Sequence, residues 1–185
     1  MSEPVEGSVF RTAMRRVPSP IVVVTATGQR QGTTETRGIT IGSFTSVALD
    51  PPLVSFNVGC ESKMYGVMET CSRFAVNVLG EGQAHLAKRF AVPGLTGEEQ
   101  FENVPYTVDA HGTPMLDGVS ARFHCTPHDA VQAGDHVLHV GLVVGVDDPP
   151  DDGAVLYYQS SYRGVGSELR LTELSPVNRV SSESS

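Results

Sequence analysis

The run Arg37-Gly38-Ile39-Thr40-Ile41-Gly42-Ser43-Phe44-Thr45-Ser46-Val47-Ala48-Leu49-Asp50-Pro51-Pro52-Leu53-Val54 restricts the fold more than any other part of the chain. It reads as one long strand, a stop and a second strand. Two successive prolines remove two backbone donors and fix φ, so Asp50-Pro51-Pro52 ends ladder pairing and makes a rigid corner. Ahead of that corner stand glycines, threonines and serines, where a strand that only filled a core would carry larger groups. Such a backbone can be approached closely, and its N–H groups and hydroxyls suit a flat, polar-edged ligand lying against it.

The rest of the chain is patterned for strands with a few helices between them. Residues 21–27 are β-branched and nearly all apolar, as a strand covered on both faces requires. Further strands are expected over residues 53–59, 74–79 and 154–159. The longest hairpin joins 119–131 to 136–147 through Gln132-Ala133-Gly134-Asp135. Helical spacing marks residues 7–17 (Phe10, Met14, Val17), 63–71 (Met64, Val67, Met68) and 83–90 (Leu86, Phe90). The polar residues 28–36 read as a loop, 91–104 as an excursion, and 149–153 as a turn. Six or more strands with interposed helices predict a closed or nearly closed barrel of mixed, mainly β, α+β type. One domain over residues 1–166 is expected, followed by a polar, serine-rich, flexible tail over 167–185.

Charge and cysteine content narrow the function. The chain of 185 residues has 13 basic and 21 acidic residues, a net charge of -8, so nucleic acid or an anionic membrane would bind against its field. Cys60, Cys71 and Cys125 form no Cys-x-x-Cys pair and leave one thiol over in any disulfide scheme, which suits a reducing cytoplasm. There is no apolar run of membrane-spanning length and no basic-then-apolar leader, so a cytoplasmic location is expected.

Several positions carry possible chemistry. Ser62 at the start of a helix can cap it, or can join the first free N–H groups and Lys63 in holding a phosphate. Arg89 is either a helix-end charge or a second phosphate contact. Four histidines fall on the long hairpin, but His136 and His139 point to opposite faces and no further ligand follows with metal spacing, so no metal is expected. Gly134-Asp135-His136 places an acid and an imidazole at a strand start, where the ring can meet a substrate or stand in solvent. No Gly-x-Ser-x-Gly elbow and no Gly-x-Gly-x-x-Gly fingerprint occur, which argues against a serine hydrolase and a Rossmann dinucleotide site.

Five motifs in order carry a family resemblance: Gly38-Ile39-Thr40 with Ser43-Phe44-Thr45-Ser46-Val47-Ala48-Leu49-Asp50-Pro51-Pro52-Leu53-Val54; Phe74-Ala75-Val76-Asn77-Val78-Leu79; Gly134-Asp135-His136 with Gly141-Leu142-Val143; Leu156-Tyr157-Tyr158; and Tyr162-Arg163. Together they resemble the short-chain flavin reductases, the reductase components of two-component flavin monooxygenases, over about residues 8–166. The resemblance implies an FMN-binding split β-barrel of Greek-key type with a few flanking helices. It implies a homodimer that reduces FMN or FAD with NADH or NADPH and releases reduced flavin to a partner oxygenase. By the same resemblance Thr40, Ile41, Gly42 and Ser43 would line the ring and ribityl chain, with Ala48 and Leu49 near the ring. Cys60, Ser62, Lys63 and Met64 would hold the phosphate with Arg89 and Phe90, and His136 and Tyr162 would border the nicotinamide. A barrel that keeps flavin bound and uses it on an organic substrate, or one that only carries it, remains open at this point.

Overall fold

The computed structural model describes residues 3–149 and 153–168. The chain opens with helix α1 (Gly7–Met14) and short strand β1 (Ser19–Pro20), then forms the hairpin β2 (Val22–Arg30) and β3 (Thr33–Ile41). The hairpin β4 (Thr45–Leu49) and β5 (Pro52–Gly59) follows, then α2 (Lys63–Met68), β6 (Phe74–Val78), a 3-10 turn (Glu81–Gln83) and α3 (Ala84–Phe90). Helix α4 (Gly97–Phe101) leads to the small hairpin β7 (Tyr106–Val108) and β8 (Pro114–Leu116). The long hairpin is β9 (Ala121–Ala133) and β10 (His136–Asp147), and the last is β11 (Val155–Tyr158) and β12 (Ser161–Gly164).

Seven strands make one antiparallel sheet in the order β3-β2-β6-β9-β10-β5-β4. Its two outermost strands, β3 and β4, are consecutive in sequence and separated only by residues 42–44. So short a link forces the sheet to curl until its ends meet. No strand pairing joins β3 to β5, although both face the same cleft, so the barrel is split along that line. Strands β1, β11 and β12 form a second, three-stranded sheet.

Strand β2 explains why this sheet is stable. Val22, Val24 and Ala26 face the barrel interior with Phe56, Phe74, Met64 and Val67, so α2 packs into the same core. Ile21 and Val23 face the other way, into a second core with Leu79, Leu86, Phe90 and Leu116. Both faces are thus covered, as the unbroken β-branched run requires. Complete burial of Val22, Val23 and Val24 contributes roughly 1.5–3 kcal/mol each.

Three expectations change. Residues 28–36 are not a loop: Gly28, Gln29 and Arg30 pair with Glu35, Thr34 and Thr33, and only Gln31 and Gly32 turn, both at positive φ. Polar side chains are compatible with this ladder because much of its surface is in solvent, where Arg30 and Glu35 form an ion pair at 3.5 Å. The proline corner is shorter than expected, since Pro52 pairs opposite Leu49 as the first residue of β5, a position that tolerates proline. Residues 91–104 do not stand clear of the barrel, because α4 packs back on β3: a Cβ on Gly97 would lie 2.2 Å from the Thr36 carbonyl oxygen. The middle of the 149–153 turn and the tail beyond residue 168 lie outside the described residues.

Asn77, fully buried on β6, ties the layers together. Its Nδ2 donates to the Val23 carbonyl (3.0 Å) and to Thr25 Oγ1 (3.1 Å), and its Oδ1 accepts from Leu116 N (3.2 Å) and Arg122 Nε (3.1 Å). Asn77→Leu keeps the heavy-atom outline but orphans the buried partners, so a loss of about 3 kcal/mol is expected in chemical denaturation.

Candidate functional site

Two clefts, each of about 520 Å³, meet along β3 and share Ile39 and Thr40. One lies between β3, the start of α2 and residues 90–95. The other lies between residues 39–43, Asn57 and Gly59 of β5, and His136 of β10. Each is of the size that holds a small organic ligand.

The wall they share is a sheet edge. Gly38 turns its peptide groups outward, where the Gln100 side-chain amide meets both: Gly38 N donates to Gln100 Oε1 (3.3 Å) and Gln100 Nε2 donates to Gly38 O (3.0 Å). In an antiparallel pair alternate residues share this orientation, so the N–H and C=O of Thr40 point to the same open side. Here the edge offers a donor and an acceptor in fixed positions to a ligand. Gly38 also admits the Phe90 ring, whose nearest carbon would stand 2.5 Å from an added Cβ. Phe90 is itself buried and packs edge-on against Phe101, with ring centroids 5.2 Å apart, so it supports the shelf from behind.

The expected hydroxyls are partly engaged. Thr40 Oγ1 donates to the Ala87 carbonyl at 2.7 Å and keeps lone pairs for accepting. Ser43 Oγ accepts from Asn57 N at 2.9 Å and keeps its proton for donating. At the far end Ser62 caps α2 by accepting from Met64 N (3.2 Å), while the Lys63 ammonium donates to the Gly94 carbonyl (3.1 Å). The buried Arg37 also borders this cleft, its guanidinium paired with Glu35 (2.5 Å) and the Leu95 carbonyl (2.6 Å); Lys63 is the more exposed cation and keeps two ammonium protons after its bond to Gly94.

His136 closes the opposite end. Its Nδ1 lies 2.7 Å from Asp135 Oδ1, and the ring sits over Gly59, where a Cβ would meet Nε2 at 3.7 Å. The hydrogen bond and charge of His136 hold the exposed Asp135 carboxyl below its ordinary range. In return, the carboxylate keeps a proton on Nδ1 and leaves Nε2 toward the cleft.

Of the residues singled out in the sequence, Thr40, Ile41, Gly42, Ser43, Ser62, Lys63, Met64, Phe90 and His136 border these two clefts. The others lie elsewhere. Ala48 and Leu49 are on β4, with Leu49 90% exposed. Cys60 uses its N–H on the Asp135 carbonyl at 2.9 Å, tying the turn before α2 to the hairpin tip. Arg89 turns to α4, donating to the carbonyls of Gln100 (2.8 Å) and Glu99, because the last turn of α3 faces that helix. Tyr162 packs edge-on against Tyr157 in the second sheet, with centroids 5.2 Å apart. Among the described residues no three His, Cys, Asp or Glu side chains cluster as a metal site. Sequence reading missed Asn57, whose amide between the apolar Phe56 and Val58 was a usable signal, and the Pro93-Gly94 wall, which only the return of α4 creates.

An elongated ligand with a polar-edged flat end and an anionic end fits this donor set, and a phosphorylated flavin has that form. Gly38→Ala would drive the new methyl into Phe90; a loss of about 1–3 kcal/mol is expected, measured by thermal and chemical unfolding.

Comparison with known proteins agrees with this geometry. Residues 14–166 match the family described as flavin reductase like domain. The chain is 34% identical to a flavin reductase of Pseudomonas putida over 155 residues, covering 84% of this chain and 88% of the relative. It superposes on the NADH:FAD oxidoreductase of Streptomyces globisporus in complex with NAD and FAD fragments with a TM-score of 0.80 and 31% identity, covering 91% of this chain and 100% of that one. The flavin reductase component of a bacterial two-component tryptophan halogenase gives 0.78 and 29%, covering 88% and 100%. Some relatives are longer, and the chain spans 56% of a stachydrine N-demethylase reductase subunit from Rhizobium meliloti. With the split barrel, the open β3 edge and a match across most of its length, the chain belongs to the flavin reductase-like family.

Proposed function

We propose that this protein is an NAD(P)H:flavin oxidoreductase that reduces FMN or FAD and passes the reduced flavin to a partner oxygenase. The observation that carries the reading is the short stretch of β3 edge at Thr40, left uncapped beyond the Gln100–Gly38 pair and lying where the Lys63 cleft and the His136 cleft meet. Support for the nicotinamide and flavin comes from the Streptomyces globisporus relative named an NADH:FAD oxidoreductase, and for the oxygenase from the reductase component of the halogenase.

When bound, flavin supplies a ring that accepts hydride from a nicotinamide. The chain's own residues do the holding. Lys63 and the N–H groups beside Ser62 neutralise and seat the phosphate, and the peptide groups of Thr40 with the Ser43 hydroxyl fix the polar edge of the ring. His136, oriented by Asp135, positions the nicotinamide nucleotide through Nε2 and transfers no obligatory proton. The demand on the protein is orientation of two flat rings at reacting distance.

The protein is further read as a cytoplasmic homodimer. Free thiols Cys60, Cys71 and Cys125 suit a reducing compartment. Exposed Val47 and Leu49 on β4, Val144 and Val146 on β10, and Phe10 and Met14 on α1 are apolar surfaces that a second copy can cover.

Mixing the purified protein with NADH and either FMN or FAD tests the activity: NADH oxidation that depends on added flavin is expected. Flavin retained through purification with no such turnover overturns the reading. His136→Ala is expected to raise the KM for NADH about tenfold with the flavin Kd unchanged, and Lys63→Ala to weaken flavin binding about tenfold, as loss of one charge-assisted contact predicts. Steady-state kinetics and flavin fluorescence titration measure the two effects.

A further inference from the structure

Arg89 lines neither cofactor cleft, although Phe90 beside it borders one of them. Its half-buried guanidinium is engaged by the backbone of α4: Nε donates to the Gln100 carbonyl at 2.8 Å and Nη2 to the Glu99 carbonyl, with a Glu102 carboxylate oxygen 4.0 Å away. The last carbonyls of a helix have no partner within it, so a cation there completes their hydrogen bonding and meets the negative end of the dipole. A helix of five residues has little stability of its own and depends on what closes its ends. The Thr96–Glu99 capping box closes the first end, with Glu99 N donating to Thr96 Oγ1 (3.2 Å) and Thr96 N to Glu99 Oε2 (2.7 Å), and Arg89 closes the second. Arg37 and Lys63 hold the Leu95 and Gly94 carbonyls ahead of α4, not the two that Arg89 takes.

Gln100 carries this anchoring to the strand edge. Its main-chain carbonyl is held by Arg89, while its buried side-chain amide grips Gly38, which shares the open edge of β3 with Thr40 two residues on. The 3.3 Å from Gly38 N to Gln100 Oε1 is at the long end for such a bond, so a small drift of α4 breaks it. Drift at Gly38 moves Thr40 as well, because β3 has a ladder partner on one side only and nothing but the clasp steadies the other. Two short steps, Arg89 to the Gln100 main chain and the Gln100 side chain to Gly38, thus connect a half-buried cation outside the clefts with the peptide that faces the ligand.

We propose, resting on the flavin reading of the two clefts, that Arg89 is a positioning residue for flavin: it touches no part of the ligand, and by holding the end of α4 it keeps the Gln100 amide on Gly38 and fixes the Thr40 peptide against the ring. A cation in contact with the phosphate would act on that group alone, whereas one acting through the strand edge affects the ring. Riboflavin separates the two roles, since it has the ring and ribityl chain of FMN without the phosphate.

The full chain and its Arg89→Ala, Arg89→Lys and Lys63→Ala variants are titrated with FMN and with riboflavin by flavin fluorescence. Arg89→Ala is expected to weaken both flavins by the same factor, about fivefold, and Arg89→Lys, which still donates to the α4 carbonyls, to restore most of the loss; Lys63→Ala weakens FMN and spares riboflavin. Arg89→Met, which keeps the apolar stem, replaces the alanine variant where that one does not fold. Exchange of the Gly38 amide, followed by NMR without ligand, is expected to quicken at least about fivefold in Arg89→Ala while the amides of Val22, Val23 and Val24 keep their wild-type rates, a contrast that a general loss of stability does not produce. The role is overturned by a loss confined to FMN, by unchanged affinity for both flavins, or by unchanged exchange at Gly38. Wild-type protein that binds neither flavin overturns the flavin reading and the role together, whereas normal wild-type binding with an unaffected Arg89→Ala overturns the role alone.

Discussion

The arrangement rests on one satisfied amide. A buried asparagine has two donors and two acceptor positions, and Asn77 fills all four with groups from β2, β8 and β9. Thr25 extends the network to the Pro114 carbonyl at 2.5 Å, and Arg122 extends it to Asp147 at 2.6 Å. Because every member is partnered, the network specifies one packing of the central strands instead of adding a polar liability to the core. The position of β3 follows from it, since β3 is held by its ladder with β2 and by α2, α3 and α4, which pack against it.

The split is what gives this small barrel a site. A fully closed sheet would pair the peptide groups of β3 with β5 and leave no backbone for a ligand. Here residues 42–44 turn the chain before pairing can occur, and β4 joins β5 instead. The same economy puts His136 at the cleft: the Gly134-Asp135 turn ends β9, and β10 pairs His136 opposite Gly59, whose missing side chain leaves room for the ring. Geometry at both ends is therefore fixed by strand register, which tolerates far less drift than a loop.

Much of this was legible in the chain because period and chemistry coincided. The apolar run over residues 21–27 required cover on both faces, and a core lies on each side of β2; the small residues over 38–43 do form an approachable edge. The histidine of Gly134-Asp135-His136 reaches the cleft because its strand starts there. What was not legible depended on distant chain segments. Arg89 has the same local sequence whether or not it meets the carbonyls of α4, and only the return of residues 96–101 brings those carbonyls within reach. Residues 28–36 were misread because a ladder of threonines and glutamines, largely in solvent, has the composition of a loop. Tyr162 was placed by motif order, and motif order carries no information about which sheet its strand joins.

Gln100 has one more consequence, which concerns association between copies of the chain. An uncovered sheet edge is a template on which another strand can add, and β3 is such an edge. With the Gln100 amide standing in for a neighbouring peptide group at Gly38 and Gly97 lying against Thr36, the middle of the edge is already capped. Beyond it only Thr40 and Ile41 remain before the chain breaks direction at Gly42. That remnant is too short to recruit a foreign strand and long enough to hold one small molecule, so the helix that guards against edge-to-edge aggregation also sets the length of the ligand shelf.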